Sequence, residues 1–210
     1  MIVINFKNYV YGENAVVLAQ LIEQYIPKAI VAVPTADIFE VSAESRLKVY
    51  SQHIDTVPTK KGTGFITAKD VREAGAVGTL LNHSEHKLSY DVIVKAMKSC
   101  KKEKLKVIIC TASIPAAERL KRLKPYAMAF EDPLLIASKK SITAYRSSEV
   151  KKFVSVLQKT KIIPLCGAGV HSREDIRAAY MLGCKGVLIA SAIVAAIKPQ
   201  EILQEIADIV

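Results

Sequence analysis

The sequence predicts an α/β chain that closes into a (β/α)₈ barrel, one domain over residues 1–210, with a doubly wound open sheet as the alternative. Three observations carry this expectation. Eight short apolar runs recur along the chain, and segments of helical spacing separate them. The runs are apolar on consecutive positions, as strands of a parallel sheet covered on both faces are.

In order, the runs are Ile2 to Phe6, Ala29 to Val33, Lys48 to Ser51, Val77 to Leu81, Val107 to Cys110, Met128 to Phe130, Ile162 to Cys166 and Gly186 to Ile189. Between the fourth and fifth, Leu88, Val92, Ala96 and Cys100 recur every four residues and so predict one inward helix face. Thr67 with Asp70, and Ser172 with Asp175, fit capping boxes at helix starts. Gly75 and Gly183 stand where helix C-terminal glycines belong.

Composition agrees with a packed domain. Half of the 210 residues are hydrophobic and only 9 are Gly and 8 Pro, so a sizeable core can form and disorder is excluded. No apolar run approaches the roughly 18 residues of a membrane span, and Met1 to Lys7 lacks the layout of a signal peptide. A cytoplasmic location is expected. Cys100, Cys110, Cys166 and Cys184 show no C-x-x-C pairing and lie in apolar segments, which predicts buried free thiols. The net charge of +10 raises nucleic-acid binding as a rival reading. Its lysines, such as Lys95, Lys98, Lys101 and Lys102, lie along helix faces without interleaved aromatics, so a solvated basic surface that attracts anionic metabolites is expected instead.

A barrel of this kind gathers its chemistry at the C-terminal strand ends. Those ends carry Asn5 and Lys7 after the first run, Asn82 to Glu85 after the fourth and Glu131 after the sixth. Gly167-Ala168-Gly169 follows the seventh and Ala190-Ser191 the eighth.

Five motifs in this order, Asn5-Phe6-Lys7, Asn82-His83-Ser84-Glu85-His86, Ala129-Phe130-Glu131, Cys166-Gly167-Ala168-Gly169 and Leu188-Ile189-Ala190-Ser191, resemble triosephosphate isomerase in its shorter archaeal-type form, along nearly the whole chain. The resemblance implies a TIM barrel that interconverts dihydroxyacetone phosphate and glyceraldehyde 3-phosphate without organic cofactor or metal. A carbon acid beside a carbonyl needs a base, and Glu131 ends a core strand with a loop behind it. The resemblance assigns it the proton transfer between C1 and C2. It assigns Asn5 and His83 as donors to the enediolate; this family is itself the standard example of a neutral histidine electrophile held uncharged by a helix N-terminus. That helix is expected to begin near Ser84 and Glu85. Lys7 supplies positive charge, and Glu85 is placed to pair with it. Backbone N–H groups at Gly169, Ala190 and Ser191 are expected to hold the phosphate, with Ile136 and Ala137 closing over it.

Taken singly, each residue has a plain structural reading, and His83 with His86 has the spacing of a metal pair. The lid also departs from the archaeal pattern. Asp132 replaces a proline and adds a negative charge beside Glu131, Ala137 and Lys139 replace glycines, and Ala192 replaces a glycine that could crowd the phosphate. The connection Thr59 to Thr67 is long, and Phe65 and Ile66 within it are expected to be exposed and to dock into a neighbouring subunit. A homodimer is expected, with a homotetramer as the alternative. Another phosphate-binding barrel enzyme and a non-catalytic sugar-phosphate sensor are the functional rivals.

Overall fold

Eight strands form from the eight apolar runs: β1 Ile2–Asn5, β2 Ile30–Val33, β3 Lys48–Ser51, β4 Gly78–Leu81, β5 Lys106–Thr111, β6 Ala127–Phe130, β7 Ile163–Cys166 and β8 Gly186–Ile189. The structure, a computed structural model, describes residues 1–57, 61–132 and 141–209. Each strand pairs in parallel with the next, and β8 returns to β1 through Ile2↔Val187, Val3↔Leu188 and Ile4↔Ile189. That pairing closes the barrel and rules out the open sheet.

The helices between strands are α1 Glu13–Tyr25, α2 Ile38–Glu44, α3 Ala68–Glu73, α4 Tyr90–Lys102 and α5 Ile114–Leu120, then α6 Ile142–Tyr145, α7 Ser147–Leu157, α8 Arg173–Met181, α9 Ser191–Val194 and α10 Pro199–Ala207. Single 3₁₀ turns lie at Thr35–Asp37 and Lys121–Leu123. Both predicted capping boxes form. The Thr67 hydroxyl accepts from the Asp70 N–H and the Asp70 carboxylate accepts from the Thr67 N–H, and Ser172 and Asp175 repeat the arrangement.

The pleat sorts side chains into two cores. Val3, Ala32, Tyr50, Leu80, Ile108, Leu165 and others fill the barrel interior, while Ile2, Ile4, Val31, Leu81, Ile109 and Phe130 pack outward against the helices. Each fully buried Leu, Ile or Phe contributes roughly 1.5–3 kcal/mol relative to exposure. Tyr50 sits inside the barrel because Gly78 beside it lacks a side chain; a Cβ there would run into the Tyr50 ring and the Lys106 carbonyl. All four cysteines are buried free thiols.

The inward stripe of α4 differs from the predicted one. Ser89 caps the helix and Tyr90 starts it, so Leu88 lies outside, and the buried residues are Ile93, Ala96 and Cys100. A strict four-residue step outruns the 3.6-residue turn, and the stripe drifts accordingly.

Among the described residues, four non-glycine residues hold left-handed backbone: Lys7 (φ 49°), Asn82 (φ 59°), Lys104 (φ 57°) and Lys124 (φ 52°). For L-residues this conformation costs about 1–2 kcal/mol each.

Candidate active site

Pleat parity delivers the first two functional side chains to the mouth. Val3 points inward, so Asn5 two residues on does too; Ala127 and Ala129 point inward, and Glu131 continues the series. The Glu131 N–H donates to the Thr111 carbonyl at 2.9 Å, which extends the sheet by one rung and fixes the residue at the strand end.

His83 does not follow that parity. Leu80 points inward, and the next inward position would be Asn82, but its left-handed turn breaks the alternation. Asn82 tolerates the conformation and uses its side chain as a clasp. Its Nδ2 donates to the Cys110 carbonyl at 2.9 Å, and its Oδ1 accepts from the Leu88 N–H at 2.9 Å. The loop between is thereby folded so that His83 Nε2 lies 3.3 Å from Glu131 Oε1. Both residues are nearly buried, at 8% and 4% exposure.

No helix starts at Ser84 or Glu85, contrary to expectation; a turn occupies 84–85, closed by the His86 N–H donating to the His83 carbonyl at 2.8 Å. The imidazole is held by one amide instead of a helix end. The Glu85 N–H donates to His83 Nδ1 at 3.3 Å, which requires that nitrogen to be unprotonated and leaves the proton on Nε2. Burial also favours the neutral ring. The Glu131 carboxylate opposes both and carries the His83 pKa above its ordinary value.

Lys7 and Glu85 pair as expected, Nζ to Oε1 at 2.8 Å. The Asn5 Oδ1 accepts from the Lys7 N–H at 3.0 Å, so its amide nitrogen is left for another acceptor. Gln52, just after β3, donates from Nε2 to the Lys7 carbonyl at 2.8 Å and supports the left-handed turn from two strands away. One pocket is lined by Asn5, Lys7, His83 and Glu131 together with Gly169, Ala190 and Ser191. Ile136, Ala137 and Lys139 lie outside the described residues. Ala192 packs against the outer core and is not part of the pocket lining.

Glu131 Oε2 is buried and has no hydrogen-bond partner among the described residues. An unsatisfied buried acceptor costs about 1–3 kcal/mol, and such groups in native folds mark places where something else binds. The Cys110 thiol is pushed well above its ordinary pKa, by complete burial first and then by the Glu131 charge, so it stays protonated beside the carboxylate. Sequence reasoning took Cys110 only as a buried thiol; its inward position on β5, one strand from Glu131, was the available signal.

Asp132 does stand beside Glu131, but its charge is shared with a cation. The Arg146 Nε donates to Asp132 Oδ2 at 2.7 Å, and that bond raises the Arg146 pKa. A second group missed in the sequence joins residues 141–143 to the loop after β7. The Asp175 carboxylate takes the His171 and Ser172 N–H groups at 2.9 and 3.2 Å, and Thr143 donates to it at 3.5 Å. Burial would raise the Asp175 carboxyl, but Ser141 and these donors hold it below its ordinary value. The capping box was the legible part of that network.

His86 turns from His83 and stacks on His53, ring centroids 4.0 Å apart. Among the described residues no group of three or more His, Cys, Asp or Glu side chains is placed to hold a metal ion.

Comparison with known proteins shows the family and the fold. The family model described as triosephosphate isomerase matches residues 1–207. The chain is 37% identical to the triosephosphate isomerase of Methanosarcina barkeri, over 98% of this chain and 96% of the relative, and 35% identical to that of Saccharolobus solfataricus, over 98% and 93%. The crystal structure of triosephosphate isomerase from Bartonella henselae superposes with a TM-score of 0.73 at 14% identity, covering 99% of this chain and 97% of the other, a likeness of fold. The chain belongs to the triosephosphate isomerase family.

Proposed function

We propose that the chain interconverts dihydroxyacetone phosphate and D-glyceraldehyde 3-phosphate, a step of glycolysis and gluconeogenesis, by proton transfer at this site. The observation that carries the reading is the 3.3 Å approach of Glu131 to His83 in a pocket shared with Gly169, Ala190 and Ser191. Glu131 removes the proton from C1 of the ketose, and the electron pair moves onto the carbonyl oxygen to form an enediolate. The same carboxyl group returns the proton at C2, while the O1 hydroxyl proton passes to O2 by way of the His83 imidazole, which leaves a carbonyl at C1 and a hydroxyl at C2. Its unpartnered Oε2 is the free acceptor this needs.

Negative charge develops on the two substrate oxygens, and donors aimed there in advance stabilise it. The His83 Nε2–H and the Asn5 amide are such donors, each with its other polar atom already bonded to an N–H. Lys7, held by Glu85, adds a fixed positive charge. Main-chain N–H groups at Gly169, Ala190 and Ser191 receive the phosphate. In this reading the N–H of Ala137, beside Ile136, closes over it and excludes water.

A guest between Glu131 and His83 diverts the carboxylate from the ring. Burial, the amide on Nδ1 and the Lys7 charge then favour the neutral imidazole, against the Glu85 carboxylate 3.6 Å from Nδ1.

The reading includes a homodimer in which the loop around Phe65 docks beside the partner's site. Phe65 is 42% exposed, and a cavity of about 470 Å³ lined by Tyr9, Gln52, His53 and His86 adjoins the catalytic pocket. Ile66 is half-buried against the core, contrary to expectation, because Asp55 binds its N–H at 2.8 Å and its carbonyl at 2.7 Å. Thr59 and Lys60 lie outside the described residues. No helix among the described residues is long and apolar enough to cross a membrane. The proposal places the enzyme in the cytoplasm, with the small-molecule substrate and no nucleic acid as partner.

Three measurements test the reading. In a coupled assay, Glu131→Asp withdraws the carboxylate by about 1 Å and should lower kcat about 10²-fold while phosphate-ligand affinity stays nearly constant. Undiminished turnover would remove Glu131 as the base, and absent turnover in wild type would favour the sensor. His83 should titrate lower in Glu131→Gln than in wild type by NMR, since the raising charge is gone while burial remains. Its folded pKa exceeds the roughly 6.5 of an unfolded histidine, so the stability it adds is complete below that pH and lost as pH rises through the folded value. An identical titration in both proteins would contradict the pairing. Sedimentation at micromolar concentration should give dimers; persistent monomers would remove the docking role of Phe65.

A further inference from the structure

On the side of the barrel opposite the catalytic mouth, where β5 and β6 begin, a groove of about 580 Å³ opens between α4 and the Lys121–Leu123 turn. Its floor is apolar, formed by Val94, Met97, Leu105, Leu123 and Tyr126. Lys98, Lys101, Lys104, Lys106 and Lys124 also line it, and all five are exposed. No carboxylate lines the groove; Glu103 precedes Lys104 in the chain but is not part of the wall. The expectation of lysines merely spread along helix faces, apart from aromatics, fails here. The Lys106 Nζ stands 4.5 Å from the centroid of the Tyr126 ring.

Backbone conformation separates this cluster from an ordinary solvated surface. Lys104 follows α4 and Lys124 follows the 3₁₀ turn, both in left-handed backbone. After α3 and α8 the chain turns through Gly75 (φ 105°) and Gly183 (φ 95°), where a side chain would also press on Ser42 and Val154. At the two positions that border the groove it keeps a strained lysine. Complementing the helix dipole does not require this, since Lys101 and Lys102 already sit in the last turn of α4.

Like charges crowded without counter-charges repel one another, and a bound polyanion removes that repulsion. Lysine meets phosphate as a mobile point charge, and a concave apolar floor of this volume suits the body of a small ligand. We propose that the groove is a second ligand site that takes a nucleoside triphosphate, phosphates toward the lysine rim and base against the apolar floor. This rests on the groove alone and is independent of the isomerase reading.

The test is calorimetric titration of the full chain with ATP and with inorganic triphosphate at moderate salt. Wild type is compared with the Lys104→Gly, Lys124→Gly double variant and with Lys152→Ala, an exposed lysine of α7. The glycines relieve strain, so the double variant should melt at or above the wild-type temperature. The proposal expects saturable ATP binding that inorganic triphosphate matches only weakly, that falls at least tenfold in the double variant, and that is unchanged in Lys152→Ala. It is overturned if ATP fails to saturate, if the double variant binds as well as wild type, or if triphosphate alone binds as tightly as ATP. Displacement of ATP by dihydroxyacetone phosphate would place it in the catalytic mouth and also overturn the proposal. So would sedimentation showing that the double variant changes oligomeric state, because a second copy would then be the groove's occupant.

Discussion

A carboxylate and an imidazole held 3.3 Å apart across the mouth of a closed barrel form the contact on which the rest of the site depends. Neither side chain comes from a neighbouring strand of the other. Glu131 follows β6 and His83 follows β4, with β5 between them, so their approach is fixed by the β4–β5 and β5–β6 registers. A slip of one residue in either register would turn alternate side chains outward and separate the pair. In the proposed mechanism these two registers are therefore a requirement of the chemistry as much as a source of stability.

The site concentrates local costs that the cores on either side of the sheet can bear. Lys7 and Asn82 adopt left-handed backbone, and Glu131 keeps one buried oxygen unbonded. Each cost has a positional result. The turn at Asn82 brings His83 round to the mouth, and the free oxygen of Glu131 is the acceptor that the proposed proton abstraction uses. Supporting residues restrain these groups from outside the pocket: Gln52 on the Lys7 carbonyl, Asn82 spanning to Cys110 and Leu88, and Asp175 joining residues 141–143 to the loop after β7.

Much of the architecture was legible in the sequence because parallel barrel strands are apolar on consecutive positions and their helices carry strong caps. The Thr67–Asp70 and Ser172–Asp175 boxes are local, and local rules read them correctly. Strand ends identified Asn5 and Glu131 because pleat parity runs straight into them. It failed for His83, whose direction depends on a backbone twist at Asn82. The short helix expected at Ser84 is a turn, since the loop spends its hydrogen bonds on the Asn82 clasp and the His83 carbonyl. The Asp132–Arg146 pair and the lysine groove were hidden for a different reason. Both join positions that are distant in the chain and adjacent only after folding.

The most direct test of the central contact is a crystal structure with an unreactive analogue of dihydroxyacetone phosphate. The account predicts that the analogue lies between Glu131 and His83, its carbonyl oxygen within hydrogen-bond distance of His83 Nε2 and its phosphate at the main-chain N–H groups of Gly169, Ala190 and Ser191. An analogue bound elsewhere, with the Glu131–His83 contact still closed, would contradict it.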